Sequence, residues 1–268
     1  IWYSNNDQIK EQGFHQRGIR EGLTTYYYED GTMQREGFFK QGLPDGLWTY
    51  WNKKAEKDFE FDFGTGLQHI ALEDLVERES IFYKLGEDIP FTGIITQENP
   101  EADYLFLGRT KDGKKDGQWV KWFPSGKDVP EIILVEVPDP EPVLPWSGGK
   151  QEQGGYKDGK KHGEWTEWYD NEHIKSHGTY NVGIMDGDWT FYHKNGIKEK
   201  EGALKEGSAE GLWIFWDDET NKVQEGSFTN GVKEGQWTAW FEDGRLTEGY
   251  YVSGKKDATW TSWWDHER

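Results

Sequence analysis

The chain contains no cysteine. That excludes a disulfide framework, a thiolate metal site, a cysteine nucleophile and, in this segment, any lipidated cysteine. Long apolar runs are absent too, with nothing near the ~18 residues a membrane-spanning helix needs, so no direct membrane insertion is expected. Basic residues are outnumbered: 31 Lys and Arg face 50 Asp and Glu, for a formal charge of −19. Bulk electrostatics therefore disfavour nucleic acid and anionic lipid as partners. Apolar residues make up only 34% of the chain, against the usual ~45–50%. What is abundant is glycine, with 34 residues, and tryptophan, with 16. So many aromatics argue against a disordered acidic chain and for repeated aromatic sheet rather than one aliphatic core.

The aromatics recur with a period. Segments 163–169 (GEWTEWY), 187–193 (GDWTFYH), 211–217 (GLWIFWD) and 235–241 (GQWTAWF) start 24 residues apart. A further copy, ATWTSWW at 258–264, carries Ala258 where glycine is expected, and GQWVKWF (117–123), GLWTYWN (46–52) and GLTTYYY (22–28) extend the series upstream. A fixed period of this length marks a repeat architecture. Each copy also holds a second glycine–aromatic element, such as Gly178-Thr179-Tyr180 or Gly226-Ser227-Phe228, reached through a turn dipeptide such as Asn195-Gly196 or Asp243-Gly244. Copies are joined by Gly-x-x-x-Gly connectors, for example Gly159/Gly163 and Gly207/Gly211. Two short strands and two turns fill one period, so the unit is a β-hairpin.

The register follows from the turns. A two-residue loop at Asn195-Gly196 sets Trp189 opposite Gly202 and Gly187 opposite Leu204, and neighbouring copies set Trp165 opposite Gly178, Trp213 opposite Gly226 and Trp237 opposite Gly249. Each indole thus faces a residue without a Cβ, the ring and the bare backbone filling each other's space. On this register Gly202→Val is expected to displace Trp189. Side chains alternate along a strand, so the other face carries an aromatic stripe: Trp122, Trp168, Tyr192, Trp216, Trp240 and Trp263, with Tyr27 and Trp51 in the earlier copies. The stripe repeats every ~10 Å, two strands at a time. It is read either as stabilising ladder or as a recognition surface for a protein segment or sugar chain.

The Gly-x-Trp-x-x-aromatic strand, Asn/Asp-Gly turn, Gly-x-aromatic strand and Gly-x-x-x-Gly connector together resemble MORN repeats, in particular the bacterial variant of antitoxin-like proteins. A lead-in similar to that variant runs from Ile81-Phe82-Tyr83 to Pro90-Phe91-Thr92-Gly93. The resemblance implies an elongated single-layer antiparallel sheet of ~24-residue hairpins, without an enzymatic site, serving as a binding or assembly scaffold.

Three segments are expected. Residues 1–66 form an N-terminal repeat block that begins inside a repeat, with Ile in place of an initiator Met; the segment before it is expected to have been removed. Residues 67–92 break the period, and Leu67, Ile70, Ala71, Leu75 and Val76 predict a short amphipathic helix there. Residues 93–268 form the longer block, with a proline-rich insertion at about 127–150, since Trp119 and Trp165 are 46 residues apart where 24 are expected. Ile132, Ile133, Leu134 and Val135 in that insertion are a candidate docking strand, because free strands recruit sheet edges; the alternative is a hairpin lying on its own sheet.

No catalytic, metal or cofactor site is expected. His173 and His177 lie four apart on a strand and turn, where that spacing does not converge them on zinc. Acids of the connectors, including Asp112, Asp116, Asp158, Asp186, Glu206 and Glu210, sit where exposed polar residues belong. No nucleophile elbow, His-Glu-x-x-His or phosphate loop is present, and a single sheet offers no deep cleft for paired carboxylates. The expected function is a noncatalytic scaffold for protein partners in a multi-protein complex, at a bacterial cell envelope or surface, with a cytoplasmic location as the alternative. An antitoxin-like inhibitor of a basic toxin and carbohydrate binding along the stripe are the competing readings.

Overall fold

The computed structural model describes residues 2–3, 8–96, 105–122 and 149–264; the candidate docking strand Ile132–Val135 lies outside them. The described chain is almost entirely strand. Its contacts divide it into two compact units, one built on the chain up to Thr96 with Gly108–Lys114, the other on the chain from Lys115 onward.

In the first unit, strands Trp2–Tyr3, Ile9–Gln16, Ile19–Tyr27, Met33–Lys40, Leu43–Trp51 and Lys57–Asp62 lie side by side in sequence order, every neighbour antiparallel. The helix expected within 67–92 does not form. That segment holds a strand His69–Ala71, a single 3-10 turn at Leu72–Asp74, and a hairpin of Leu75–Arg78 with Ile81–Lys84. The apolar spacing that suggests a helix is satisfied otherwise. Ile70 pairs in parallel with Ile95 of the strand Gly93–Thr96, and Glu79-Ser80 turn the hairpin with φ of 53° and 64°. Parallel strands need a long crossover, and here the hairpin supplies it in place of a helix. Phe82, Phe91, Ile94 and Ile95 are buried around it.

The second unit is one antiparallel sheet running in sequence order from Lys114–Trp122 through Lys150–Lys157, Lys160–Trp168 and Ile174–Asn181 to Lys255–Trp264. The expected register holds: Trp119 pairs with Gly154, Trp165 with Gly178, Trp189 with Gly202, Trp213 with Gly226 and Trp237 with Gly249. The ring, however, covers the glycine on its other side, eleven residues earlier and across the connector. A Cβ built on Gly154 would collide with Trp165, on Gly178 with Trp189, on Gly202 with Trp213, on Gly226 with Trp237 and on Gly249 with Trp260; in the first unit Gly37 stands in the same relation to Trp48. The expectation that Gly202 accommodates Trp189 is therefore corrected: its occupant is Trp213.

The indole is locked there by its own N–H. Nε1 of Trp48, Trp165, Trp189, Trp213 and Trp237 donates to the carbonyl of the residue following the covered glycine, at 2.9–3.1 Å. Between successive indoles stands the aromatic of the return strand, edge-on. Tyr156, Trp165, Tyr180 and Trp189 form one such ladder and Trp213, Phe228, Trp237, Tyr251 and Trp260 another, with centroids 5.0–6.2 Å apart and planes at 77–89°. T-shaped contacts of this kind add to area burial. Lysines close the layer from above: Nζ of Lys161 and of Lys233 lies 3.8 Å from the centroids of Trp165 and Trp237, and Nζ of Lys256 lies 4.0 Å from that of Trp260.

The turns differ from expectation in a compensating way. Asn195-Gly196 is not a two-residue loop. Lys194, Asn195 and Gly196 form a three-residue loop, closed by the Gly196 N–H donating to the His193 carbonyl (2.9 Å) and the His193 N–H donating to that of Ile197 (2.8 Å). A bulge beside Tyr192 then restores the register. The loop at Phe241–Arg245 has the same closure but no bulge, which is why that copy is one residue shorter. Two-residue turns with both φ positive occur at the connectors instead: Asp158-Gly159 (50° and 82°), Glu206-Gly207 (49° and 82°) and Asn230-Gly231 (49° and 78°). The second connector glycine also has positive φ, 79° at Gly163 and 73° at Gly235, with open space where a Cβ would point. It is required for its backbone, not for clearance, and Ala258 adopts the same region at 55°.

Two outcomes follow for chemical denaturation. Gly202→Val is expected to cost about 1–3 kcal/mol by overpacking, and a double-mutant cycle should couple it to Trp213→Ala and not to Trp189→Ala. Ala258→Gly is expected to stabilise by about 0.5–1 kcal/mol, since relief of the left-handed backbone outweighs the added freedom of the unfolded chain.

Candidate interaction surface

The indole-bearing face of each sheet is closed by its own side chains: Trp48, Trp165, Trp189, Trp213 and Trp237 are all buried. Side-chain area left accessible lies on the opposite face and at departures from the repeat. On the opposite face of the second unit, the middle row alternates Thr with acid or His. Thr166 Oγ1 lies 2.9 Å from His177 Nδ1, and Thr238 Oγ1 donates to Glu248 at 3.3 Å; Thr190 pairs with Glu201.

The aromatic stripe runs beside that row. Trp122 is buried, Trp168, Tyr192, Trp216 and Trp240 are half-buried, and Trp263 is exposed. Its rings are flanked by lysines from the adjoining strands. Lys150, Lys198 and Lys222 place Nζ 5.5–5.8 Å from the ring centroids of Trp168, Trp216 and Trp240. Lys198 and Lys222 also pair at 2.7 Å with Glu201 and Glu225. Leu246 lies between Trp240 and Trp263 in register. The stripe thus contacts its own sheet along its length while leaving ring area open.

Neither histidine of the pair at 173 and 177 approaches the other's partners: His173 Nδ1 contacts the Lys194 carbonyl at 3.0 Å and His177 contacts Thr166. Among the described residues no group of three His, Asp or Glu side chains is placed to hold a metal ion, and no helix is long and apolar enough to cross a membrane. The connector acids hold the neighbouring turns. Carboxylates of Glu21, Asp186, Glu210 and Glu234 accept from the backbone N–H of Gln41, Glu206, Asn230 and Ser253, at 2.8–3.1 Å. Tyr169 and Tyr28 tie the opposite ends, their hydroxyls donating to the carbonyls of Tyr192 and Trp51 at 2.9 Å.

Sequence reasoning missed a feature of the first unit. Phe14 (62% exposed), Leu23 (47%), Phe38 (55%) and Leu47 (56%) each neighbour a residue of the buried face, Gly13, Thr24, Phe39 and Trp48. By alternation all four lie on the open face, and Leu23 pairs directly with Phe38. The signal was present as Gly-Phe and Gly-Leu at 13–14, 22–23, 37–38 and 46–47 on four successive strands, where later copies read Gly163-Glu164, Gly187-Asp188 and Gly235-Gln236 and Gly211-Leu212 is apolar.

Residues 20–41 and 161–181 match the family described as MORN repeat variant, one match in each unit. Each spans an outgoing strand, its loop and the return strand. No curated protein matches. A weak likeness among solved structures is the computationally designed protein Ika8, 10% identical, covering 91% of this chain and 84% of that one with a TM-score of 0.16.

Burial raises several tyrosine pKa values above 10: Tyr50 in the first unit, and in the second Tyr156, where the Glu152 carboxylate adds to it, and Tyr180. A raised folded-state value means the folded chain holds its protons more tightly than the unfolded one. That contribution to stability is whole below about pH 10 and is lost as pH rises through the folded values. Urea midpoints are therefore expected to fall above about pH 10, and Tyr156→Phe to reduce the slope of that fall.

Proposed function

We propose that this chain is a noncatalytic scaffold that holds a protein partner within a larger assembly, and that the partner seats on the open face of the first unit. Repeats of the matched type are non-catalytic and generally serve protein or membrane interaction. The observation that carries the reading is the set Phe14, Leu23, Phe38 and Leu47, each about half exposed on one face of four adjoining strands, with Leu23 and Phe38 paired directly. Isolated exposed apolar residues are ordinary, but a contiguous set bordered by polar groups marks an interaction site. Glu36 and Glu60 occupy the adjacent row of the same face, hydrogen-bonded by Thr25 and Thr49, Glu60 also pairing with Lys57 at 2.7 Å, and Asp62 stands opposite Leu47. The chemistry selects an amphipathic segment with an apolar stripe and a basic border. The charge of −19 steers such a partner electrostatically, and a basic toxin would be one example.

The test uses a photo-crosslinking residue in place of Leu23 in the full chain, expressed in its host. A discrete adduct is expected with the otherwise unaltered chain and not when Phe14→Ser and Phe38→Ser are added, with denaturation midpoints matching because both positions are exposed. An adduct that survives the two serines overturns the reading.

A further inference from the structure

On the indole-bearing face, the position two residues beyond each Trp is aromatic in the middle of the second unit. Phe191 lies 5.7 Å from Trp189 and 6.5 Å from Trp213, and Phe215 lies 6.2 Å from Trp213 and 6.4 Å from Trp237. At the start of the same sheet that row reads differently. Lys121 and Glu167 replace the rings, and Glu152 stands between them, paired with both. Where the rings are missing the surface opens into a cleft of about 450 Å³ lined by Lys121, Gln151, Glu152, Glu167, Trp168 and Tyr169, with Asp170 and Lys175 completing it. That volume suits a small ligand.

The charges of the cleft are already matched within the protein. Lys161 Nζ lies 3.3 Å from carboxylate oxygens of both Glu152 and Glu167. Lys175 stands 3.9 Å from Glu167, and Asp170 pairs with Lys194 at 2.7 Å. An anion entering the cleft meets three carboxylates; a cation meets Lys121 and Lys175. Neither gains a formal counter-charge that is not already engaged. Each carboxylate nevertheless accepts at up to about four lone-pair sites and each ammonium donates up to three hydrogens, so donors and acceptors remain for a ligand that offers both. Tyr169 adds aromatic lining, its hydroxyl held by the Tyr192 carbonyl, which fixes the ring before a ligand arrives, whereas the Trp168 ring belongs to the opposite face beside Lys150.

From this arrangement we propose that the cleft binds a neutral, hydroxyl-rich ring, a pyranose of one or two residues. Sugar hydroxyls donate to Glu152 and Glu167 and accept from Lys121 and Lys175, while the C–H surface of the ring meets the aromatic lining. The site is independent of the protein-docking row in the first unit and of the stripe first considered for sugars, whose rings lie on the opposite face.

Saturation-transfer NMR on the full chain tests it, with methyl glycosides of glucose, galactose, mannose and N-acetylglucosamine as neutral probes and glucose 6-phosphate and glucosamine as charged ones. Transfer to at least one neutral glycoside is expected, with a dissociation constant in the range of about 1 mM and weaker transfer to both charged probes. Glu152→Gln is expected to weaken binding about tenfold, and Lys175→Met, a change at a half-exposed side chain, to weaken it with an unaltered denaturation midpoint. Absence of transfer to every neutral glycoside overturns the proposal. So does tighter binding of a charged probe, or binding that survives both substitutions.

Discussion

The structure depends on one contact: a tryptophan ring laid across the bare backbone of the glycine eleven residues before it, with its N–H on the next carbonyl. Domains ordinarily bury an apolar face by packing a second layer of secondary structure on it. Here the second layer is made of side chains. Indoles lie flat, return-strand aromatics stand edge-on between them, and lysine stems close the gaps with their ammonium groups at the surface. This accounts for a chain rich in tryptophan and glycine and poor in aliphatics. It also places the contact across the connector, where it joins one repeat to the next. Stability is then carried largely by the interfaces between repeats, as expected of a one-dimensional array.

The two ends of the strands are secured by different chemistry. At the connector end, each two-residue turn hangs from the preceding repeat by its glycine N–H, as Gly207 does on Met185 and Gly231 on Ala209. A carboxylate of that earlier repeat accepts the N–H of the residue beside it. At the loop end, Tyr169, His193 and Asn195 reach forward to carbonyls of Tyr192, Trp216 and Asp218. A turn that projected alone into water would leave backbone groups to solvent. Stacked turns satisfy one another, and part of the acid excess in the composition is spent on this.

The register was legible because volume dictates it: only a glycine tolerates an indole at strand spacing, and the two recur at matched intervals. The side on which the ring lies was not legible. Gly154, Gly202 and Gly226 each have a tryptophan in register on both flanks, as Gly202 has Trp189 and Trp213, so spacing alone is symmetric and only the side-chain geometry breaks the tie. The loop at Asn195-Gly196 gave the correct pairing from the wrong turn, since an added loop residue and an added bulge residue cancel. Residues 67–92 misled because their apolar spacing serves a parallel bridge from Ile70 to Ile95, well along the chain, and a local hairpin that sets Val76 against Tyr83, rather than one helix face. The cleft was invisible for a related reason. Lys121, Glu152 and Glu167 are unremarkable as residues, and become a site only when the sheet aligns them in the row that carries Phe191 and Phe215 elsewhere.

Once glycine, indole and turn residues are fixed by the fold, few positions per repeat remain free: the one before each tryptophan, the one two beyond it, and those facing them on the return strand. Departures at these positions leave the indole contact untouched and still change what a face presents. Leu47 stands before Trp48 and is exposed, whereas Glu164 and Asp188 hold that position before Trp165 and Trp189. Two beyond the tryptophan, Glu167 opens a cleft that Phe191 and Phe215 close. A repeat protein of this kind therefore carries its stability in what its copies share and its specificity in where they differ. The apolar row of the first unit and the polar cleft of the second are the two places where the difference gathers over neighbouring strands.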